Sequence, residues 1–261
     1  MNEPAPRPIP TPLIEMRDVS FASMRDQSLI MAQNIQWTVV PGDYWVIAGL
    51  QGSGKTDFLM MTGGVMPPAE GSYRLFGEAM PIFDEPQLPT RLRLGLVFDG
   101  GQLFNHLTVA ENVGLPLRYH QNLSKPAVAE RVQNILESLE LAEWADSTPG
   151  AIGRNWQKRV GLARALSLQP ELLVIDSPLT GLDLRHTNWW LNFLDQLSKG
   201  HPRLENRPLT LVVSAADLRP WKGRARQFAI LKNRRLDVLG TWQQLESASA
   251  EALQEVYETS A

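Results

Sequence analysis

The stretch Gly49-Leu50-Gln51-Gly52-Ser53-Gly54-Lys55-Thr56 reads G-x-x-x-x-G-K-T and follows the apolar run YWVIA. Glycines at these places let the backbone curl until successive N–H groups point inward, and the positive end of a following helix adds to their field. Such a loop holds phosphates. Lys55 would reach the outer phosphates as a point charge, and the Thr56 hydroxyl would ligate Mg²⁺. A second apolar run, LLVID, ends in Asp176. A carboxylate at a strand end is by itself more often a cap than a ligand; paired with a phosphate loop, it is expected to serve the metal. The residue after it is Ser177, whose hydroxyl cannot take up a proton at neutral pH.

Elements must hold these side chains in place. The short runs YWVIAG (44–49), LGLVF (94–98), LLVID (172–176), LTLVV (209–213) and FAIL (228–231) read as strands buried on both faces. Between two of them, Val128, Val132, Ile135, Leu136 and Leu139 recur on one helical face, with Ser124 and Pro126 where a helix start would want them. Strands alternating with helices predict an α/β chain with a mostly parallel core sheet and ligands at the carboxyl ends of its strands. The stretch from about 115 to 160 has helical periodicity and no strong strand, and is expected to form a separate helical lobe. Trp189 and Trp190 keep helical spacing with Phe193 and Leu194, which predicts packing, and KNRRLD (232–237) reads as a hairpin-like turn.

Composition narrows the function classes. The 261 residues are 43% hydrophobic, ample for a large core. With 25 basic and 28 acidic residues the net charge is −3, so no nucleic-acid partner is expected. The lack of cysteine excludes disulfides and thiolate metal sites. Residues 1–12, MNEPAPRPIPTP, read as a flexible proline-rich tail without the apolar stretch of a leader. No uncharged apolar run approaches the ~20 residues that cross a bilayer, and a cytoplasmic chain is expected.

From about Leu13 to Ser247 the order of motifs resembles the ATP-binding cassette (ABC) family of transporter ATPases. Besides the phosphate loop, VFDGGQLFNHLTVAENV (97–113) looks like that family's Q-loop segment. RVGLARALSLQPELLVIDSPLTGLD (159–183) looks like its signature helix, Walker B strand and D-loop, with Asp183 at the D-loop aspartate. Within the family, GGQLFNHLTVAENVGLPLR and MTGGVMPP are most similar to ATPases of MCE-type lipid transporters, the Mla phospholipid system included. The resemblance implies a P-loop NTPase fold over 13–247, with an N-terminal antiparallel β subdomain and an inserted α-helical lobe, and a C-terminal helical tail over 248–261. It implies ATP and Mg²⁺ as cofactors, bound by residues 49–56 with Thr56, Asp99 and Asp176 at the metal. It also implies a second cassette, identical or different, and an integral permease holding the chain to the inner face of the membrane.

Against the family pattern, catalytic elements are missing. Ser177 stands where the family has the glutamate that polarises water, and a general base is worth roughly 10² to 10⁴ in rate. Ala215 stands at the switch histidine; His106, His120, His186 and His201 all lie elsewhere. Asp99 replaces the Q-loop glutamine, a change that can keep metal contact. The signature becomes IGRNW (152–156): Gly153 takes the serine's place, and Arg154 and Asn155 put side chains where glycines would allow close backbone approach. Arg154 is expected to face solvent or a carboxylate more than a phosphate. The adenine-stacking ring would fall at Ser23, and the nearest aromatic is Phe21.

Three readings follow. The first is a transporter subunit, lipid-handling, that binds Mg-ATP with weak or absent hydrolysis. The second is a scaffold for a permease in which ATP is a bound ligand that fixes one conformation. The third is an active ATPase that recruits Asp99 as the replacement carboxylate.

Overall fold

The computed structural model describes residues 11–80, 85–204 and 206–247; most of the proline-rich N-terminal segment and the proposed tail 248–261 lie outside the described residues. In chain order the elements are β1 (Ile14–Ala22), β2 (Ile30–Val39), β3 (Tyr44–Ala48), α1 (Lys55–Thr62), β4 (Glu70–Leu75), β5 (Glu78–Ala79), α2 (Leu88–Arg91) and β6 (Leu94–Val97). Then come α3 (Val109–His120), α4 (Lys125–Ser138), α5 (Arg154–Leu166), β7 (Leu172–Ile175), α6 (Leu184–Lys199), β8 (Thr210–Ala215), β9 (Gln227–Lys232), β10 (Arg235–Gly240) and α7 (Trp242–Ser247).

The five apolar runs are β3, β6, β7, β8 and β9. They lie in one sheet of order β10-β9-β3-β8-β7-β6, parallel except for the edge strand β10. Every residue of β3, β7 and β8 is buried, because helices cover one face and the second sheet with α1 covers the other. That second sheet is antiparallel, in order β2-β1-β4-β5. Between the sheets, Phe21, Trp37 and Phe58 form an aromatic cluster with centroid spacings of 5.3 and 5.6 Å. The opposite face of the parallel sheet packs on α3, α5 and α6 through Val113, Val160, Trp190 and Leu194, all fully buried.

Local chemistry sets the element ends. Thr108 and Glu111 form a capping box that starts α3, and Ser124 and Pro126 sit at the start of α4, whose stripe Val128, Val132, Ile135 and Leu136 is buried. Asn233 (φ 47°) and Arg234 (φ 59°) make the two-residue turn from β9 to β10. Trp190 is fully buried, and Trp189 stacks on Phe193 with centroids 4.8 Å apart. No helix among the described residues is long and apolar enough to cross a membrane.

Candidate functional site

The candidate residues gather where four neighbouring parallel strands end. The phosphate loop follows β3, Ala215 ends β8, Asp176 and Ser177 follow β7, and Asp99 follows β6. Carboxyl ends of parallel strands are the usual ligand-binding edge of such sheets.

The loop from Gly49 to Gly54 is shaped by positions that exclude side chains. A Cβ on Gly49 would lie 2.5 Å from Ser53 Oγ and 2.7 Å from the Leu231 carbonyl, and Gly52 and Gly54 have φ of +82° and +91°. Gly54 caps α1 without a side-chain hydrogen bond, which leaves the first N–H groups of the helix free for an anion. The buried Ser53 Oγ has no hydrogen-bond partner. Lys55 folds back on the loop, its Nζ donating to the carbonyls of Gly49 (2.5 Å) and Leu50 (2.8 Å). Burial lowers the Lys55 ammonium from its ordinary value, and the Asp176 carboxylate pulls it the other way.

Thr56 Oγ1 donates to Asp176 Oδ2 at 2.8 Å. Asp176 Oδ1 accepts from Ser214 Oγ at 2.7 Å and from Ser177 Oγ at 3.2 Å. The fully buried Ser214 also accepts from the Ser177 N–H at 2.9 Å. It thereby holds Ser177 at φ 47°, a left-handed conformation that costs a non-glycine residue roughly 1–2 kcal/mol. Thr56 and Asp176 would fit a Mg²⁺ ion. Among the described residues no group of three or more His, Cys, Asp and Glu gathers, so phosphate and water would supply the remaining ligands, as Mg²⁺ commonly requires.

Asp99, the third residue expected at the metal, is paired with two cations of α5. Its Oδ1 lies 2.8 Å from Lys158 Nζ, without hydrogen-bond geometry, and its Oδ2 accepts from Arg154 Nη2 at 3.3 Å. Arg154 is 70% exposed and meets a carboxylate, one of the two surroundings expected of it. The Lys158 side chain is 2% exposed, and its ammonium also donates to the carbonyls of Thr180 (2.7 Å) and Ser177 (3.2 Å). Sequence reasoning missed Lys158 and Ser214. The usable signal for Lys158 was its spacing of one helical turn from Arg154, which puts both cations on one face of α5.

The altered signature begins α5. Gly153 is its N-cap, with no side-chain hydrogen bond, and Arg154 and Asn155 open the first turn. Trp156 packs edge-on against His186 at 5.2 Å, and Arg159 lies over Trp156 and Trp189 at 4.5 and 3.7 Å. Asp183 caps α6, accepting from the His186 N–H at 2.8 Å. Phe21 is fully buried against Phe58 and presents no face for a base. Ser23 is buried too, its Oγ accepting from the Arg25 N–H.

The family model described as ABC transporter matches residues 32–180. The chain is 37% identical over 172 residues to the intermembrane phospholipid transport system ATP-binding protein MlaF of Escherichia coli K12, covering 66% of this chain and 63% of that protein. It is 32% identical over 183 residues to the methionine import ATP-binding protein MetN of Lacticaseibacillus paracasei, covering 70% of this chain and 51% of that one. The chain thus spans less than two thirds of the length of these curated relatives. Among solved structures, the dimeric cassette MJ0796 superposes with a TM-score of 0.74 at 26% identity, over 85% of this chain and 96% of that one; a structure of the same cassette is described as a post-hydrolysis state bound to ADP and Pi. The cbiO1 protein of Clostridium perfringens shares the fold, with a TM-score of 0.76 at 19% identity over 95% of each chain.

Proposed function

Since the chain belongs to the ABC transporter family, we propose that it is the nucleotide-binding subunit of a membrane transporter that holds Mg-ATP and hydrolyses it weakly or not at all. Residues 49–56 would cradle the phosphates, Lys55 would exchange its contacts with the loop carbonyls for the outer phosphates, and Thr56 and Asp176 would hold Mg²⁺. Bound there, the ion would screen the charge of the phosphates. A second cassette and an integral permease would complete the assembly at the inner face of the membrane. The similarity to MlaF, together with the GG-x-LF and LTV-x-ENV segments, supports a lipid cargo.

One observation carries this reading: Ser177, where the family places its base, is bonded to Asp176 and Ser214, while Asp99, the one candidate to replace that base, is paired with two cations. The residues of the phosphate loop are all present, Ser177 stands in place of the base, and Asp99 is ion-paired, which supports holding without firing. The reading is tested by equilibrium titration of the full chain with ATP, ADP and AMP, with and without Mg²⁺, beside Lys55→Ala. Mg²⁺-dependent binding of ATP that weakens with Lys55→Ala is expected. Equal affinity of both proteins for ATP would remove the site from consideration.

A further inference from the structure

The loop after β6 is fastened to α5 at several independent points. Gly101 and Gly161 touch backbone to backbone: a Cβ on Gly101 would lie 2.4 Å from the Gln157 carbonyl, and one on Gly161 would lie 2.6 Å from Gly101 Cα. Arg164 donates to the carbonyls of Gly101 (2.9 Å) and Gln102 (3.0 Å). Asp99 closes the contact through Arg154 and Lys158. From the other side, Lys158 also fixes the turn after β7 through Ser177 and Thr180. Its ammonium donates to two carbonyls of one loop and makes an ion pair with a carboxylate of the other.

We propose that Lys158 is a positioning residue that holds the Asp99 carboxylate on α5 and away from the Mg²⁺ position at Thr56 and Asp176, while tying the turn after β7 to the same helix. The proposal rests on the nucleotide reading above for its metal part and on the geometry alone for its clamp. β6 and β7 are adjacent strands, and the Asp99 and Asp176 loops leave neighbouring places on the sheet edge. Removing the lysine's charge leaves the Asp99 carboxylate, beside a metal position, held by the exposed Arg154 alone, and carboxylates are the oxygen ligands Mg²⁺ favours. The clamp also gives Lys158 and Arg154 a joint purpose: the two cations neutralise the acidic group that stands where the family has an uncharged glutamine.

Two measurements on the full-length chain test this. Amide hydrogen exchange of the nucleotide-free protein is expected to rise in both 99–102 and 177–180 on Lys158→Gln, and to stay near the native pattern on Lys158→Arg. In Mg²⁺ titrations of ATP binding, Lys158→Gln is expected to lower the half-saturating Mg²⁺ concentration by about 5-fold, because a released carboxylate adds ligand charge. Asp99→Asn alone should leave it within about 2-fold, and the double variant Asp99→Asn/Lys158→Gln should lose the gain. The double variant removes both charges together and keeps the comparison usable if the single lysine variant does not fold. Unchanged exchange in both segments would overturn the clamp. A severalfold rise in the Mg²⁺ requirement on Asp99→Asn alone would show that the carboxylate already serves the metal, and would overturn the proposal. If no nucleotide binds, the functional reading falls while the exchange comparison still decides the clamp.

Discussion

The loop after β3 and the loop after β6 leave the same edge of one sheet, both rich in glycine, and they use their polar groups in opposite ways. The first keeps Ser53 Oγ unpartnered and the start of α1 without a side-chain cap. The second gives Asp99 to Lys158 and Arg154 and two carbonyls to Arg164. Each loop has one open and one packed glycine: Gly52 and Gly100 have open space around a notional Cβ, whereas Gly49 lies against the Leu231 carbonyl and Gly101 against the α5 backbone. The first loop thus keeps donors in reserve for an anion, and the second has its acceptors held by cations of α5. The departures at Asp99 and Arg154 are ion-paired with each other, together with Lys158.

This contrast can be broken or sharpened by substitution. Gly101→Ala should be the most damaging: its φ is +78° and the new methyl would meet a backbone carbonyl, so a loss of about 3 kcal/mol in urea unfolding is expected, at the upper end of overpacking costs. Gly52→Ala, with φ +82° and open surroundings, should cost about 1 kcal/mol; equal costs at the two sites would erase the distinction. Lys55→Ala should weaken ATP binding about 30-fold by calorimetry, in keeping with the loss of one charge-assisted contact, with little change in unfolding. Restoring the carboxylate by Ser177→Glu should raise phosphate release by less than about 10-fold, below the range a working base supplies, because Ala215 and the IGRNW turn remain. A rise of three orders of magnitude would show that the rest of the machinery is intact.

The smallest effect concerns pH. Burial first, and then the neighbouring Arg159, lowers the His186 imidazole from its ordinary value of 6.5. Above that value the ring is neutral in both folded and unfolded chains. As pH falls below it, the unfolded chain takes up the proton before the folded one, so stability declines between 6.5 and the lower folded value. Urea midpoints at pH 7.5 and 5.5 should differ in this direction, and His186→Gln should reduce the difference. It should not remove it, since burial lowers His201 too.

The strands were legible because burial on both faces writes a continuous apolar run, and the phosphate loop because glycine chemistry there is local. The start of α3 was harder to see. Pro116 lies inside the helix, against the usual rule for helix interiors, while the capping box of Thr108 and Glu111 that begins it sits in a segment read for its motif. Phe21 was readable as a ring but not as a fully buried one, because β1 is irregular on both sides of it, with shifts in register between Val19, Phe21 and Ala22. Lys158 and Ser214 were illegible for a different reason. Their partners come from strand-end loops distant in the chain, 19 residues away for Ser177 on Lys158 and 38 for Asp176 on Ser214. Pairing at such distances has no period to betray it.

The most direct test is to follow radiolabelled Mg-ATP bound to the purified full chain and to Lys55→Ala, measuring nucleotide retained and phosphate released in the same samples. A cassette that holds without firing should retain intact ATP in a Lys55-dependent manner and release phosphate no faster than Lys55→Ala. Phosphate release that proceeds over many turnovers and vanishes with Lys55→Ala would contradict it.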